Sequence, residues 1–184
     1  MYGLVNRAMQ EFVVTSHGAP KWDAIRTMAS VEVTNFDGMQ QYPDWMTYAL
    51  IEAATKELDE PAEQILGAFG EYWVLYTAKE GWEDLLKVSG FDFVSLLQNL
   101  DLLHARISRS YPELKPPAFQ CTDMQPGSLL LHYRSDRAGL TPFVVGLVKG
   151  VGKMFQTDVR VKVVSEKSQG ADHDVFHVEY EPHD

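Results

Sequence analysis

A single histidine, His104, stands in an otherwise apolar helical stripe. It lies in the run Asn99-Leu100-Asp101-Leu102-Leu103-His104-Ala105-Arg106-Ile107, where helical spacing places Leu97, Leu100 and Ile107 on its face. Periodicity leaves two readings. The ring is either a boundary histidine whose nitrogens bond to backbone or water, or an axial ligand to a metal or haem iron. A neutral imidazole in low-dielectric surroundings suits the second role.

Further along, Tyr133-Arg134-Ser135-Asp136-Arg137 reads as a strand end. A side-chain period of two puts Tyr133, Ser135 and Arg137 on one side. Two hydroxyls and a guanidinium fork would hold one or two ligand carboxylates. The alternative is a solvated strand edge with its charges in water.

Other signals carry less. His173 and His177 sit four apart near Asp172, Asp174 and His183, but on an expected strand, so they read as a solvated edge or an adventitious metal site. His17 and His132 have no cluster around them in sequence. Gly146, Gly150 and Gly152 read as close packing rather than a phosphate loop, because no Lys-Ser/Thr ending follows. No Ser-His-Asp or Cys-His spacing stands out.

The elements that must position these residues are legible in outline. Helical spacing predicts helices over 2–16, 22–29 and 44–57, then one opened by Asp59-Glu60-Pro61, with Asp59 as N-cap, that runs through Ile65, Phe69, Trp73 and Tyr76 to a stop near Gly81. A short helix is expected at 82–88 and one long amphipathic helix over 91–110. Lys115-Pro116-Pro117 then forces an extended break. Ala118–Asp123 and Ser128–Ser135 read as strands joined at Gln125-Pro126-Gly127, followed by an apolar helix from Pro142 to Phe155. Alternation predicts strands at 159–164 and 175–180, with a turn at 168–174. The fold class is α+β: a helical N-terminal part, roughly 1–62, packed on a part, roughly 63–184, that holds a four-stranded antiparallel sheet.

Composition narrows the function classes. With 45% hydrophobic and 11% aromatic residues, the 184-residue chain can bury a sizeable core. Its 16 basic against 26 acidic residues give a formal charge of −10, which repels phosphate backbones and argues against nucleic acid as a partner. One cysteine, Cys121, excludes an internal disulfide, a cysteine-based zinc site or an iron–sulfur cluster, as expected of a cytoplasmic protein. No run approaches the roughly 20 apolar residues of a membrane span.

In combination, these features resemble the H-NOX family, the haem–nitric oxide/oxygen-binding domains related to the haem domain of soluble guanylate cyclase. The resemblance runs from Met1-Tyr2-Gly3-Leu4-Val5-Asn6 to the last strand, and is nearest to stand-alone bacterial, cyanobacterial-type members. It is carried by Phe69-Gly70-Glu71-Tyr72-Trp73, Asn99–Arg106, Pro116-Pro117-Ala118-Phe119, Tyr133–Arg137 and Phe143-Val144-Val145-Gly146-Leu147. It implies one domain with haem b buried between its two parts, His104 as the iron ligand, and Tyr133, Ser135 and Arg137 clamping the haem propionates. It further implies that Pro117 presses on the porphyrin and that Asp44 pairs with Arg137.

The resemblance also implies what the haem senses. Oxygen-binding members carry a tyrosine where this chain has Phe143, which cannot donate a hydrogen bond. With Val5, Met9 and Leu147 extending an apolar distal lining, the expected ligands are nitric oxide and CO. Trp73 is expected on the distal side too, where its indole N–H is a donor; the alternative is a packed core residue. The implied output is a shift of the His104 helix read by a separate effector, such as a histidine kinase, a cyclic-di-GMP enzyme or a chemotaxis-type receptor. An oxygen sensor is the alternative, and a haem enzyme or a cofactor-free interaction module are more distant ones.

Overall fold

A computed structural model describes residues 1–77 and 88–182. The expected stop near Gly81, all but the last residue of the helix expected at 82–88, and His183 lie outside the described residues. The chain divides into two compact units, Met1–Phe69 and Gly70–Asp184.

The first unit is helical. It holds α1 (Gly3–His17), α2 (Ala19–Met28), α3 (Asp44–Leu58) and the first turns of α4 (Ala62–Thr77). The spacing of apolar residues in α1 buries Ala8, Met9, Phe12 and Val13 on one side, and Ile25, Leu50 and Ala54 are equally enclosed. Phe12 meets Phe69 with ring centroids 5.9 Å apart. Buried Asn6 is held through its Oδ1, which accepts from the Thr47 hydroxyl at 2.7 Å. The chain entering α1 is pinned by a bridge between Tyr2 and Gln41, and a Cβ on Gly3 would lie 2.0 Å from the Asp37 carbonyl, so only glycine fits there. Asp59 does not cap α4. It adopts the left-handed conformation (φ 54°) and closes α3 with its N–H on the Thr55 carbonyl. An Asp tolerates that conformation, and Pro61 instead takes the first bonds of α4, from Gln64 and Ile65.

The second unit is built on a four-stranded antiparallel sheet in the order β1-β2-β4-β3, with β1 Ala118–Gln125, β2 Ser128–Arg134, β3 Thr157–Ser165 and β4 Asp174–Pro182. Gly127 at φ 83° provides the left-handed position of the Pro126-Gly127 turn. Leu129, Leu131 and Tyr133 point into the core from β2, and Phe176 and Val178 from β4, as a period of two requires. One face is therefore packed. It is covered by α5 (Phe93–Gln98), α6 (Leu100–Ile107) and α7 (Thr141–Met154), whose Leu96, Leu97, Leu100, Val144 and Val148 share that core.

The single helix expected over 91–110 is two. Asn99 (φ −101°, ψ 10°) interrupts it, ending α5 and starting α6. Asparagine side chains compete with the helical backbone, and apolar periodicity alone does not register the break. The start of α5 is specified by a reciprocal cap, in which Asp92 accepts from the Ser95 N–H and the Ser95 hydroxyl accepts from the Asp92 N–H. Glycines set the approach of α7: a Cβ on Gly70 of α4 would sit 2.2 Å from the Phe143 carbonyl, and one on Gly152 2.5 Å from the Val159 side chain. Among the described residues, no helix is long and apolar enough to cross a membrane.

Candidate haem site

α6 carries His104 into the second unit, with Leu100 and Leu103 buried on its core side. The ring tilts against Phe119 of β1, centroids 5.9 Å apart, and Phe119 in turn meets Tyr133 of β2 at 5.3 Å. The Nδ1 atom of His104 is buried and has no hydrogen-bond partner. Burial holds the ring's pKa below the ordinary histidine value, against the Asp101 carboxylate and the Pro117 carbonyl beside it, which favour the cation. At neutral pH the imidazole is therefore uncharged. A buried nitrogen left unbonded costs about 1–3 kcal/mol, so the protein alone leaves this ring incompletely satisfied.

The strap before β1 is tied at three points. Arg137 donates from Nη1 to the Lys115 carbonyl at 3.1 Å, Pro117 lies beside the His104 ring, and the Phe119 N–H donates to Asp101 Oδ1 at 2.8 Å. Asp101 is a residue that sequence reasoning passed over. Its signal was its place three residues before His104 on one helix. Tyr133 is buried, Ser135 and Arg137 are half-buried, and the intervening Arg134 and Asp136 are exposed. The alternation thus continues past the end of β2, and the Ser135 hydroxyl accepts the Arg137 N–H at 3.1 Å.

Other candidates fall in two groups. Trp73 of α4 meets Phe143 of α7 edge-on, with centroids 6.5 Å apart, and Leu147 lies one turn beyond Phe143; all three are half-buried. Val5 and Met9 belong to α1 of the first unit, where Val5 is half-buried and Met9 fully buried. Asp44, at the start of α3, accepts from the Met1 ammonium.

The model of the haem-NO-binding family matches residues 2–163. The chain belongs to that family. It is thus a haem-binding gas-sensor domain of the H-NOX kind, and such domains are sensors rather than catalysts. The chain is 31% identical to the soluble guanylate cyclase gcy-35 of Caenorhabditis elegans over 94% of its own length and 26% of the cyclase. It is 35% identical to the rat guanylate cyclase soluble subunit beta-2 over 66% of its length and 19% of that subunit. The chain therefore spans about a quarter or less of these relatives. Among solved structures, an H-NOX protein from S. oneidensis in the Fe(II)NO state aligns with a TM-score of 0.89 at 21% identity, covering 98% of this chain and 99% of that one. An unliganded Fe(II) H-NOX protein from K. algicida gives 0.84 at 18% identity, covering 100% and 98%. These share the fold.

The residues of this H-NOX domain fit a haem on the chain's own evidence. His104 combines a neutral ring with an orphaned nitrogen. The half-buried Arg137 lies two residues from Ser135 and four from Tyr133, a cation and two hydroxyls of the kind that would suit carboxylates.

Proposed function

We propose that this chain is a nitric oxide sensor in which haem b is held by His104 and gas binding is reported to a separate effector in the cytoplasm. The observation that carries the reading is the buried, neutral His104 ring, which the protein alone leaves incompletely bonded, in a family that binds haem. When bound, haem would supply a ferrous iron able to take up a diatomic gas.

The rest of the work falls to the chain. The neutral His104 ring offers a lone pair without first losing a proton. Asp101 and Pro117 fix where that ring stands. Arg137, Ser135 and Tyr133 meet the propionates, the guanidinium supplying a two-pronged donor and the hydroxyls single donors. Pro117, in the strap beside His104, would press on the porphyrin. On the gas side, Phe143 and Leu147 would offer no hydrogen bond. An apolar lining withholds the help that a polar bound gas such as oxygen needs, which leaves nitric oxide and CO as the ligands. Trp73 contributes the one N–H of this group. The separate effector in this reading is a histidine kinase, a cyclic-di-GMP enzyme or a chemotaxis-type receptor.

Reconstitution with hemin tests the reading. The reduced protein should show a Soret band that shifts with nitric oxide and with CO and gives no stable complex in air. His104→Gly should lose the iron ligand and regain it with added imidazole. Arg137→Ala should release hemin about tenfold faster while keeping the ligand. A protein that stays colourless with hemin, or a His104→Gly spectrum identical to the parent, overturns the proposal.

A further inference from the structure

β4 opens with a carboxylate where its alternation calls for an apolar side chain. The period of two that buries Phe176 and Val178 also turns Asp174 to the core side, where it is only 6% exposed. Among the described residues it is the one charged side chain that is buried. In sequence Asp174 is grouped with His173 and His177, but the structure parts them. His173 Nε2 meets His132 Nδ1 at 2.8 Å on the outward side of β2, while Asp174 turns inward.

A carboxylate taken from water needs its oxygens bonded. Asp174 uses both. Oδ2 accepts from the Thr141 hydroxyl and Oδ1 from the Lys167 N–H, each at 2.7 Å. The two donors lead to different places. Thr141 is the first residue of α7, two before Phe143, and Leu140 ahead of it offers that helix no side-chain cap. A negative charge near the start of a helix also favours its unpaired N–H groups. Lys167 leads elsewhere: its Nζ donates to the Ser135 carbonyl at 3.0 Å.

The strand adds a third tie, because Asp174 stands directly opposite Tyr133 in the pairing of β2 with β4. One buried carboxylate is thus joined to the start of the helix that bears Phe143 and to the segment that bears Tyr133 and Ser135. We infer that Asp174 is a positioning residue shared by the propionate clamp and the gas-side helix, so that one group sets both haem retention and gas release. The inference rests on the proposed haem reading, in which Tyr133 and Ser135 meet the propionates and Phe143 faces the gas. The geometry also says which replacement is tolerated. Asparagine can accept from Lys167 with its oxygen and donate to the Thr141 oxygen with its amide, whereas alanine leaves both donors without an acceptor.

Rates of hemin release and of CO release from the reconstituted protein test it. Asp174→Ala should speed hemin release about fivefold and alter CO release by a similar factor, the scale of one lost hydrogen bond. Thr141→Val should alter CO release alone, and Lys167→Met, which keeps the backbone N–H, hemin release alone. Asp174→Asn should stay within about twofold of the parent in both. Val178→Ala, a core cavity on the same strand, controls for general loosening and should also leave both rates within about twofold. In the hemin-free protein, the Lys167 amide should exchange with deuterium at least about fivefold faster in Asp174→Ala than in the parent. A parent that stays colourless with hemin overturns the haem reading and this inference with it. With a coloured parent, the inference alone falls if Asp174→Ala moves the two rates no further than Val178→Ala or Asp174→Asn does, or leaves the Lys167 amide unchanged. It falls equally if Thr141→Val or Lys167→Met moves both rates or neither, a comparison that still decides should Asp174→Ala fail to fold.

Discussion

Asp101 Oδ1 accepts the backbone N–H of Phe119 at 2.8 Å, which ties α6, one turn before His104, to the first residues of β1. The same carboxylate favours the charged form of the His104 ring. Phe119 in turn lies tilted against that ring. The position of the candidate iron ligand thus depends on an 18-residue closure between helix and strand, and not on the helix alone.

Removing that closure should loosen the ligand before it unfolds the protein. A hydrogen bond to a charged group contributes about 1.5–3 kcal/mol, and the exposure of Asp101 reduces this to about 1 kcal/mol. Asp101→Ala should lower the urea-derived stability by that amount and speed hemin loss, while Asp101→Asn, which keeps an acceptor, should lose about half as much. Unchanged hemin release in Asp101→Ala would mean that His104 is positioned without β1.

Phe143 offers the direct test of gas selectivity. Its ring meets Trp73 edge-on in the second unit, and a phenol in its place would bring a donor to the same surroundings. A hydrogen bond worth about 1 kcal/mol corresponds to roughly a fivefold gain in oxygen affinity. Phe143→Tyr should therefore show an oxygen complex in air where the parent shows none. If the spectra in air are the same, that side chain does not face the bound gas.

Much of this was legible because it is periodic. Four strands and their mean faces follow from alternation, and Tyr133, Ser135 and Arg137 share one side beyond the strand's end because the period of two persists there. What failed to show was non-local or locally subtle. The order β1-β2-β4-β3 puts His173 on His132 rather than beside His177, and no spacing along the chain encodes a strand pairing across 41 residues. The break at Asn99 and the left-handed Asp59 are single-residue conformations inside otherwise continuous patterns. Asp101 showed only its helical place before His104, because its partner is a backbone N–H, which any sequence supplies.

Gly70 marks where α4 and α7 come closest within the second unit. A Cβ there would lie 2.2 Å from the Phe143 carbonyl and 2.8 Å from the Leu147 nitrogen, both backbone atoms that cannot rotate away. Alanine would gain about 1 kcal/mol in helix propensity, but overpacking costs about 1–3 kcal/mol or more. The clash should win. Gly70→Ala should lower the denaturation midpoint, and because the displaced atoms carry Phe143 and Leu147, it should also alter the CO off-rate. A stabilised Gly70→Ala would show that the two helices can separate freely.

The lone thiol should behave as an inert one. Cys121 is half-buried against the core of the second unit, and burial pushes its pKa up to about 11. An unperturbed thiol near 8.5 is about one-quarter ionised at pH 8, whereas one near 11 is ionised to about one part in a thousand. The thiolate is the reactive form, so the native protein should react with a disulfide reagent at least a hundredfold more slowly than the unfolded chain at pH 8. The sign of the pH dependence follows. Because the native state holds the proton more tightly, this advantage of the neutral thiol is complete below the unfolded value near 8.5 and is lost as pH rises towards 11. Native reactivity should therefore climb tenfold per pH unit up to about pH 10 without levelling near 8.5. A plateau near 8.5 would place the sulfur in water.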